Sequence, residues 1–136
     1  MRTVEQIVAQ KAKQELDRYL HYYQRYHGHD LALKFAANTR EQTEKRMGDL
    51  QETQKSSWID VEFLKTANEQ IIECRRVLKY TYVLGYFLED NTAVKQLFEH
   101  QQEMLEKNTE ILHRFVNLSC PILPFLPPPH SARSNE

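Results

Sequence analysis

The 136-residue sequence predicts an all-α fold: an elongated bundle of about four main helices with a proline-rich C-terminal tail. Three observations predict it. Apolar residues recur at three- and four-residue spacing along most of the chain, which is the period of a helix face. Between Val77 and Leu88 only Lys79, Thr81 and Gly85 are non-apolar, and a helix apolar on all sides needs neighbours on nearly every side. All five prolines fall after residue 120, so nothing upstream breaks a helix by removing an N–H.

The first helix is expected over Thr3 to His27, with Ala12, Leu16, Tyr19, Tyr23 and Tyr26 on one stripe. Gly28 then serves as its C-cap, because it takes the left-handed conformation at no steric cost. Asp30 is placed as the cap of a second helix, Leu31 to about Gln54. That helix is polar, and its inward stripe is Leu33, Ala36, Met47 and Leu50 with Arg40 on the same line. Ser57-x-x-Asp60 has the spacing of a capping box and starts the third and central helix. Asn91 and Thr92 supply the next stop and cap. The fourth helix carries Val94, Leu97, Phe98, Gln101, Met104, Leu105, Asn108, Ile111, Leu112 and Phe115. This pattern fits either a bundle helix or a coiled-coil seam, with Gln101 and Asn108 either fixing register or merely wet.

After Val116 the character changes, and the prolines rule out a regular helix from Cys120 to Pro129. The domain is therefore drawn as residues 1–117 and the tail as 118–136. Two PxxP spacings, Pro121 to Pro124 and Pro124 to Pro127, lack a well-placed basic flank for an SH3 domain. The tail otherwise reads as disordered.

A net charge of −1 and an isoelectric point near 6.6 give no basic footprint for nucleic acid. No apolar run approaches the ~20 residues of a spanning helix, and no secretory signal opens the chain. No membrane partner is expected, and the chain reads as soluble and cytoplasmic or nuclear. Cys74 and Cys120 are too few for a disulfide framework or a four-ligand zinc site. Cys74 reads as a small core residue. His21, His27 and His29 lie on different faces and read as surface and capping residues, and Trp58 as a staple of the turn before the third helix. Tyr19, Tyr22, Tyr23 and Tyr26 read as inter-helix packing. With no nucleophile set, paired carboxylates or glycine-rich loop, no intrinsic catalysis and no cofactor are expected.

Two positions stand apart. Phe35 points almost directly away from the stripe of its own helix at ~100° per residue, and Leu31 shares that side; such an apolar pair is either packed against another element of the same domain or offered to a partner, and the residues alone favour the first. Glu110 lies about 160° from the centre of the apolar stripe of the fourth helix and is expected to face outward.

The strings Tyr19-Leu20-x-Tyr22-Tyr23, Ser57-Trp58-Ile59-Asp60, Phe63-Leu64 and Cys74-Arg75-x-x-Leu78-x-Tyr80-Thr81-Tyr82 resemble the Ariadne domain. That domain is the helical region following the RING1-IBR-RING2 module of Ariadne-type E3 ubiquitin ligases. The resemblance runs from about Lys13 to about Phe115, and the proline-rich end departs from the family, whose members usually continue with further helices. It implies a regulatory role: the domain folds onto RING2 in cis, masks the cysteine that accepts ubiquitin, and is released by a neddylated cullin-RING complex. Phe35 matches a family aromatic that packs on RING2 in the inhibited state, and Glu110 an acidic residue that also contacts it. Ala36 stands where the family commonly has glutamate. Losing a charge-assisted hydrogen bond there removes on the order of 1.5 to 3 kcal/mol, so a looser inhibition is expected. The resemblance also implies that zinc and the transferase chemistry belong to RING modules outside this chain. The rival expectation is a stand-alone helical adaptor that oligomerises through the stripe of the fourth helix.

Overall fold

The structure is a computed structural model, and it describes residues 1–53 and 58–119. Among them there are three helices and no strand: α1 (Val4–Thr53), α2 (Trp58–Phe87) and α3 (Ala93–Ser119). The all-α class stands, with three long helices in place of four. The side chains of Leu50 and Trp58 and the capping residue Ser57 lie outside the description, as do Cys120 and the proline-rich tail.

The missing break is at Gly28, which sits inside α1 with no left-handed backbone. A helical glycine costs only about 1 kcal/mol relative to alanine. Contacts on either side of it exceed that: before it Tyr26 meets Tyr80 of α2. His29 is fully buried, Ala32 is buried one turn later, and Asp30 does not cap a helix but binds Lys79 of α2 at 2.9 Å and Lys34 at 2.8 Å. A chain pinned to α2 on both sides of the glycine gains nothing by turning there.

Helix starts follow side-chain chemistry. Thr3 and Gln6 cap α1 reciprocally: the Gln6 N–H donates to Thr3 Oγ1 at 3.2 Å and the Thr3 N–H to Gln6 Oε1 at 3.0 Å. The α2–α3 turn is made as expected by Asn91 at φ 60 and by Thr92, whose Oγ1 accepts from the Lys95 N–H at 3.1 Å. Asparagine tolerates the left-handed region better than most residues, and threonine is a favoured N-cap.

α2 packs against α1 along one side and α3 along another, so α1 and α3 run parallel to each other and antiparallel to α2. Three zones follow one another along the bundle. At one end is an apolar core of Met47, Val61, Leu64, Ala67, Ile71 and Val116, with Leu112 against it. A polar layer fills the middle. At the other end tyrosines and cations interleave: the Arg18 guanidinium lies 4.6 Å from the Tyr86 ring centre and donates to the Tyr86 carbonyl. Lys95, buried and paired with Asp90, lies 5.8 Å from the Tyr22 ring.

Two expectations about faces are corrected. The Ala12, Leu16, Tyr19, Tyr23 stripe is exposed: among the described residues no contact from α2 or α3 reaches Ala12 or Leu16, and Tyr19 and Tyr23 lie at the edge of α2 while Tyr22 and Tyr26, one step round, are half-buried against Tyr86 and Tyr80. α2 is central but not enclosed, since Val77, Leu84 and Phe87 remain exposed and Cys74 is only half-buried.

α3 is turned about its axis relative to its apolar stripe. Its buried positions are Lys95, Thr109 and Val116, while Val94, Leu97, Met104, Ile111 and Phe115 lie outside. The inner side of α3 is chosen by polar partners on α1 and α2, which a hydrophobic pattern does not register.

Candidate functional site

The polar layer begins with Arg75, placed on the core stripe of α2 between Ile71, Leu78 and Tyr82 and only 4% exposed. Its Nη1 donates to Nδ1 of His29 at 3.1 Å, and the Nε2 of the same imidazole meets Glu106 Oε1 of α3 at 3.2 Å. Tyr82 stacks on the His29 ring, centroids 5.6 Å apart, and donates its hydroxyl to Glu106 Oε2 at 2.7 Å. One imidazole thus ties all three helices together. This overturns the surface reading of His29.

The titration of these groups follows from their setting. Burial, then the negative charge of Glu106, pushes the Tyr82 phenol far up. Burial also opposes ionisation of Glu106, yet hydrogen bonds from His29 and Tyr82 outweigh it and hold the carboxyl below its ordinary value. Burial lowers Arg75 while the charges of Glu110 and Glu106 resist. His113, one helical turn after Thr109, is pushed down by burial and then by the Arg75 charge, and its Nδ1 is buried without a hydrogen-bond partner.

The same layer locates the two residues singled out in the sequence. At ~1.5 Å rise per residue, Phe35 lies about 9 Å beyond His29 on α1 and Glu110 about 6 Å beyond Glu106 on α3. Because the two helices run parallel and His29 touches Glu106, Phe35 and Glu110 stand at nearly the same height in the bundle. They also border the cleft that α1 and α3, each packed on α2, leave between them. Phe35 is two heptads after His21, whose titration responds to Glu99 and Glu106 of α3, so both residues lie on the α3 side of α1. Glu110 acts electrostatically on Arg75 at the floor of the cleft.

Both are half-buried, and Leu31 is exposed. Glu110 therefore does not face fully outward. The turn of α3 that leaves its apolar stripe bare swings Glu110 toward α1. Ala36 is buried beside Phe35 and offers no surface group.

His29, Arg75, Tyr82 and Glu106 were not singled out by sequence reasoning. The available signal was phase: His29 shares a stripe with Ala32 and Ala36, and Arg75 sits in register with Ile71, Leu78 and Tyr82. Nothing in this arrangement activates a nucleophile or a water. The described residues contain no group of His, Cys, Asp and Glu that could hold a metal ion. No helix among them is long and apolar enough to cross a membrane. What the layer does is hold three helices in one register and present a cleft with an aromatic on one lip and a carboxylate on the other.

Fold and site together define an all-α module of three long helices held in register by a buried polar layer. A model of the Ariadne domain family matches residues 17–120, and the chain belongs to that family. It is 37% identical over 110 residues to the E3 ubiquitin-protein ligase dbl4 of Schizosaccharomyces pombe, covering 81% of this chain and 22% of the relative. Against the E3 ubiquitin-protein ligase ariadne-1 of Drosophila melanogaster it is 38% identical over 107 residues, covering 79% and 21%. Against the probable E3 ubiquitin-protein ligase rbrA of Dictyostelium discoideum it is 43% identical over 109 residues, covering 76% and 20%. The chain thus spans about a fifth of the length of these curated relatives.

Proposed function

We propose that this chain is the regulatory domain of a RING1-IBR-RING2 E3 ubiquitin ligase, masking the RING2 cysteine until a neddylated cullin-RING partner releases it. The supporting observation is the placement of Phe35 and Glu110 at one height on the two lips of the α1–α3 cleft. Two residues far apart in sequence then form one composite surface, in which an aromatic supplies apolar contact and a carboxylate a charge-assisted hydrogen bond. The polar layer beneath fixes their separation, so the surface is preorganised. With Ala36 buried, the mask rests on Phe35 and Glu110 alone.

Masking and release make a two-state equilibrium that a partner shifts only through differential affinity for the two states. Moving such an equilibrium from 1:99 to 99:1 takes roughly 5.5 kcal/mol. A mask built from two contacts lowers what the releasing partner must supply. Zinc and the ubiquitin thioester belong, in this reading, to other modules of the ligase.

The test is ubiquitin discharge from a charged E2 by a separately expressed RING1-IBR-RING2 module, with this chain titrated in trans. Dose-dependent inhibition that Phe35→Ala and Glu110→Ala each weaken is expected. A folded chain that does not inhibit at high micromolar concentration removes the reading. The second reading, an oligomerising adaptor, is favoured by one observation only, the exposed apolar stripe of α3.

A further inference from the structure

We propose that the chain forms a two-fold dimer through the apolar face shared by α2 and α3, with α3 of each copy lying along α2 of the other. The face is continuous. On α3 Val94, Leu97, Met104, Ile111, Phe115 and Leu118 are all exposed, from 44% at Met104 to 85% at Leu118. Together with Gln101 and Asn108 they keep the alternating three- and four-residue spacing of a heptad seam. On α2 Ile59, Phe63, Val77 and Leu84 are exposed, and Phe63 meets Phe115 edge-on at 5.8 Å, joining the two stripes. α1 reaches α3 through Glu106 and Lys95 on its other side, so nothing on α1 covers this face.

Charge selects a second copy as the occupant. The rim of α3 remote from α2 carries His100, Lys107 and Arg114, one every seven residues, with Glu103 beside them, and none of the three is ion-paired among the described residues. The rim of α2 remote from α3 carries Glu62, Glu69 and Glu73, each ion-paired within its own copy to Lys65, Arg40 and Arg76; exposed pairs of this kind are worth little and exchange partners at small cost. The two rims are in register: Phe63 is level with Phe115 and Thr81 with Gln102, which sets Lys107 level with about Glu73 and Arg114 between Glu62 and Glu69. A two-fold axis parallel to the helices keeps every residue at its height. It brings each basic rim against the partner's acidic rim. An axis perpendicular to the helices would instead set basic against basic. The tail after Ser119 carries only Arg133 and Glu136 as full side-chain charges, too few to answer either rim.

The area suffices. A face two helices wide and about 37 Å long presents roughly 700 Å² per copy, close to the ~800 Å² of a standard interface. It lies on a different side of α3 from the cleft between Phe35 and Glu110, so this inference stands apart from the regulatory reading.

Sedimentation of the full chain from micromolar to near-millimolar concentration is expected to show a mass rising from 16.2 kDa toward twice that value. Met104→Glu combined with Ile111→Glu, both at exposed positions, is expected to keep full helicity and weaken dimerisation by more than about tenfold. The deciding experiment exchanges charge. Lys107→Glu with Arg114→Glu gives one variant, and Glu62→Lys with Glu73→Lys the other. Each alone is expected to be monomeric at concentrations where the wild type pairs, and the mixture to form a heterodimer. A wild type that stays monomeric throughout overturns the proposal, whatever then covers the face. So does a dimer that survives the Met104 and Ile111 changes, or charge variants that pair with themselves as the wild type does.

Discussion

His29 Nδ1 accepts a hydrogen bond from Arg75 Nη1 at 3.1 Å, at a position where the histidine is completely buried and the arginine nearly so. A guanidinium only donates, so this contact assigns the imidazole proton to Nε2, where it is donated to Glu106. Each of the three groups is therefore oriented by the other two. The layer acts as a register pin rather than as a source of bulk stability, because a buried charged cluster gains little over an apolar one of the same shape.

Removing one member should cost more than the layer contributes. Arg75→Met leaves the buried His29 Nδ1 without its donor and removes the positive charge that faces Glu110 and Glu106, and a loss of about 3 kcal/mol is expected in urea unfolding. A double-mutant cycle of His29→Ala and Arg75→Ala should give a coupling above about 1 kcal/mol. Additivity within experimental error would show that the two do not interact.

His113 makes stability depend on pH near neutrality. Its folded pKa is lowered from 6.5 by burial and then by Arg75, so the folded protein binds this proton less readily than the unfolded chain. Its contribution is complete above pH 6.5 and is lost as pH falls from 6.5 through the lower folded value. The slope of melting temperature against pH in that window should flatten in His113→Phe. An unchanged slope would assign the dependence to other groups, His21 first, which burial also lowers.

At stronger acidity Asp30 takes over. Hydrogen bonds from Lys34 and then Lys79 hold its carboxyl at about 2, against 3.8 unperturbed. Its stabilisation is present above pH 3.8 and disappears as pH falls toward 2. Asp30→Asn should therefore be less stable than wild type at pH 7 and converge with it near pH 2. Curves that stay parallel across that range would show that the Lys79 bridge between α1 and α2 does not form in solution.

The sequence was most legible where local chemistry decides the outcome. Asn91 and Thr92 made the turn they signalled, because a left-handed residue followed by a hydroxyl cap needs no distant partner. Phe35 lies off the buried stripe of α1 but is half-buried rather than turned directly away, because α3 stands on that side of the helix and a phase count of α1 alone does not register it. Gly28 misled, since a small intrinsic preference yields to the contacts of His29 and Asp30 with other helices. The turn of α3 was illegible for a different reason. Hydrophobic phase assumes that the whole apolar side faces the nearest helices, whereas α3 gives them Lys95, Glu106 and Thr109 beside Phe98, Leu112 and Val116 and leaves Val94, Leu97, Met104, Ile111 and Phe115 bare. The same assumption hid the polar layer, since a buried arginine and histidine register as interruptions of a stripe.

Two helical glycines should respond to alanine with different outcomes. At Gly48 an added Cβ meets nothing within 4 Å, so Gly48→Ala removes unfolded-state entropy without a clash and should stabilise by about 0.5 to 1 kcal/mol. At Gly85 the Cβ would lie 3.3 Å from Tyr22 Cε1 of α1 and 3.4 Å from Phe98 Cε1 of α3, where all three helices meet. The same entropic gain is available there, but both rings must give way, so Gly85→Ala should fall near neutral. Gly85→Val adds two methyl groups at that contact and should destabilise by about 1 to 3 kcal/mol. Thermal unfolding of the three variants checks the set. If Gly85→Val is as stable as wild type, α1 and α3 do not close on α2 at this level, and the tyrosine end of the bundle is open.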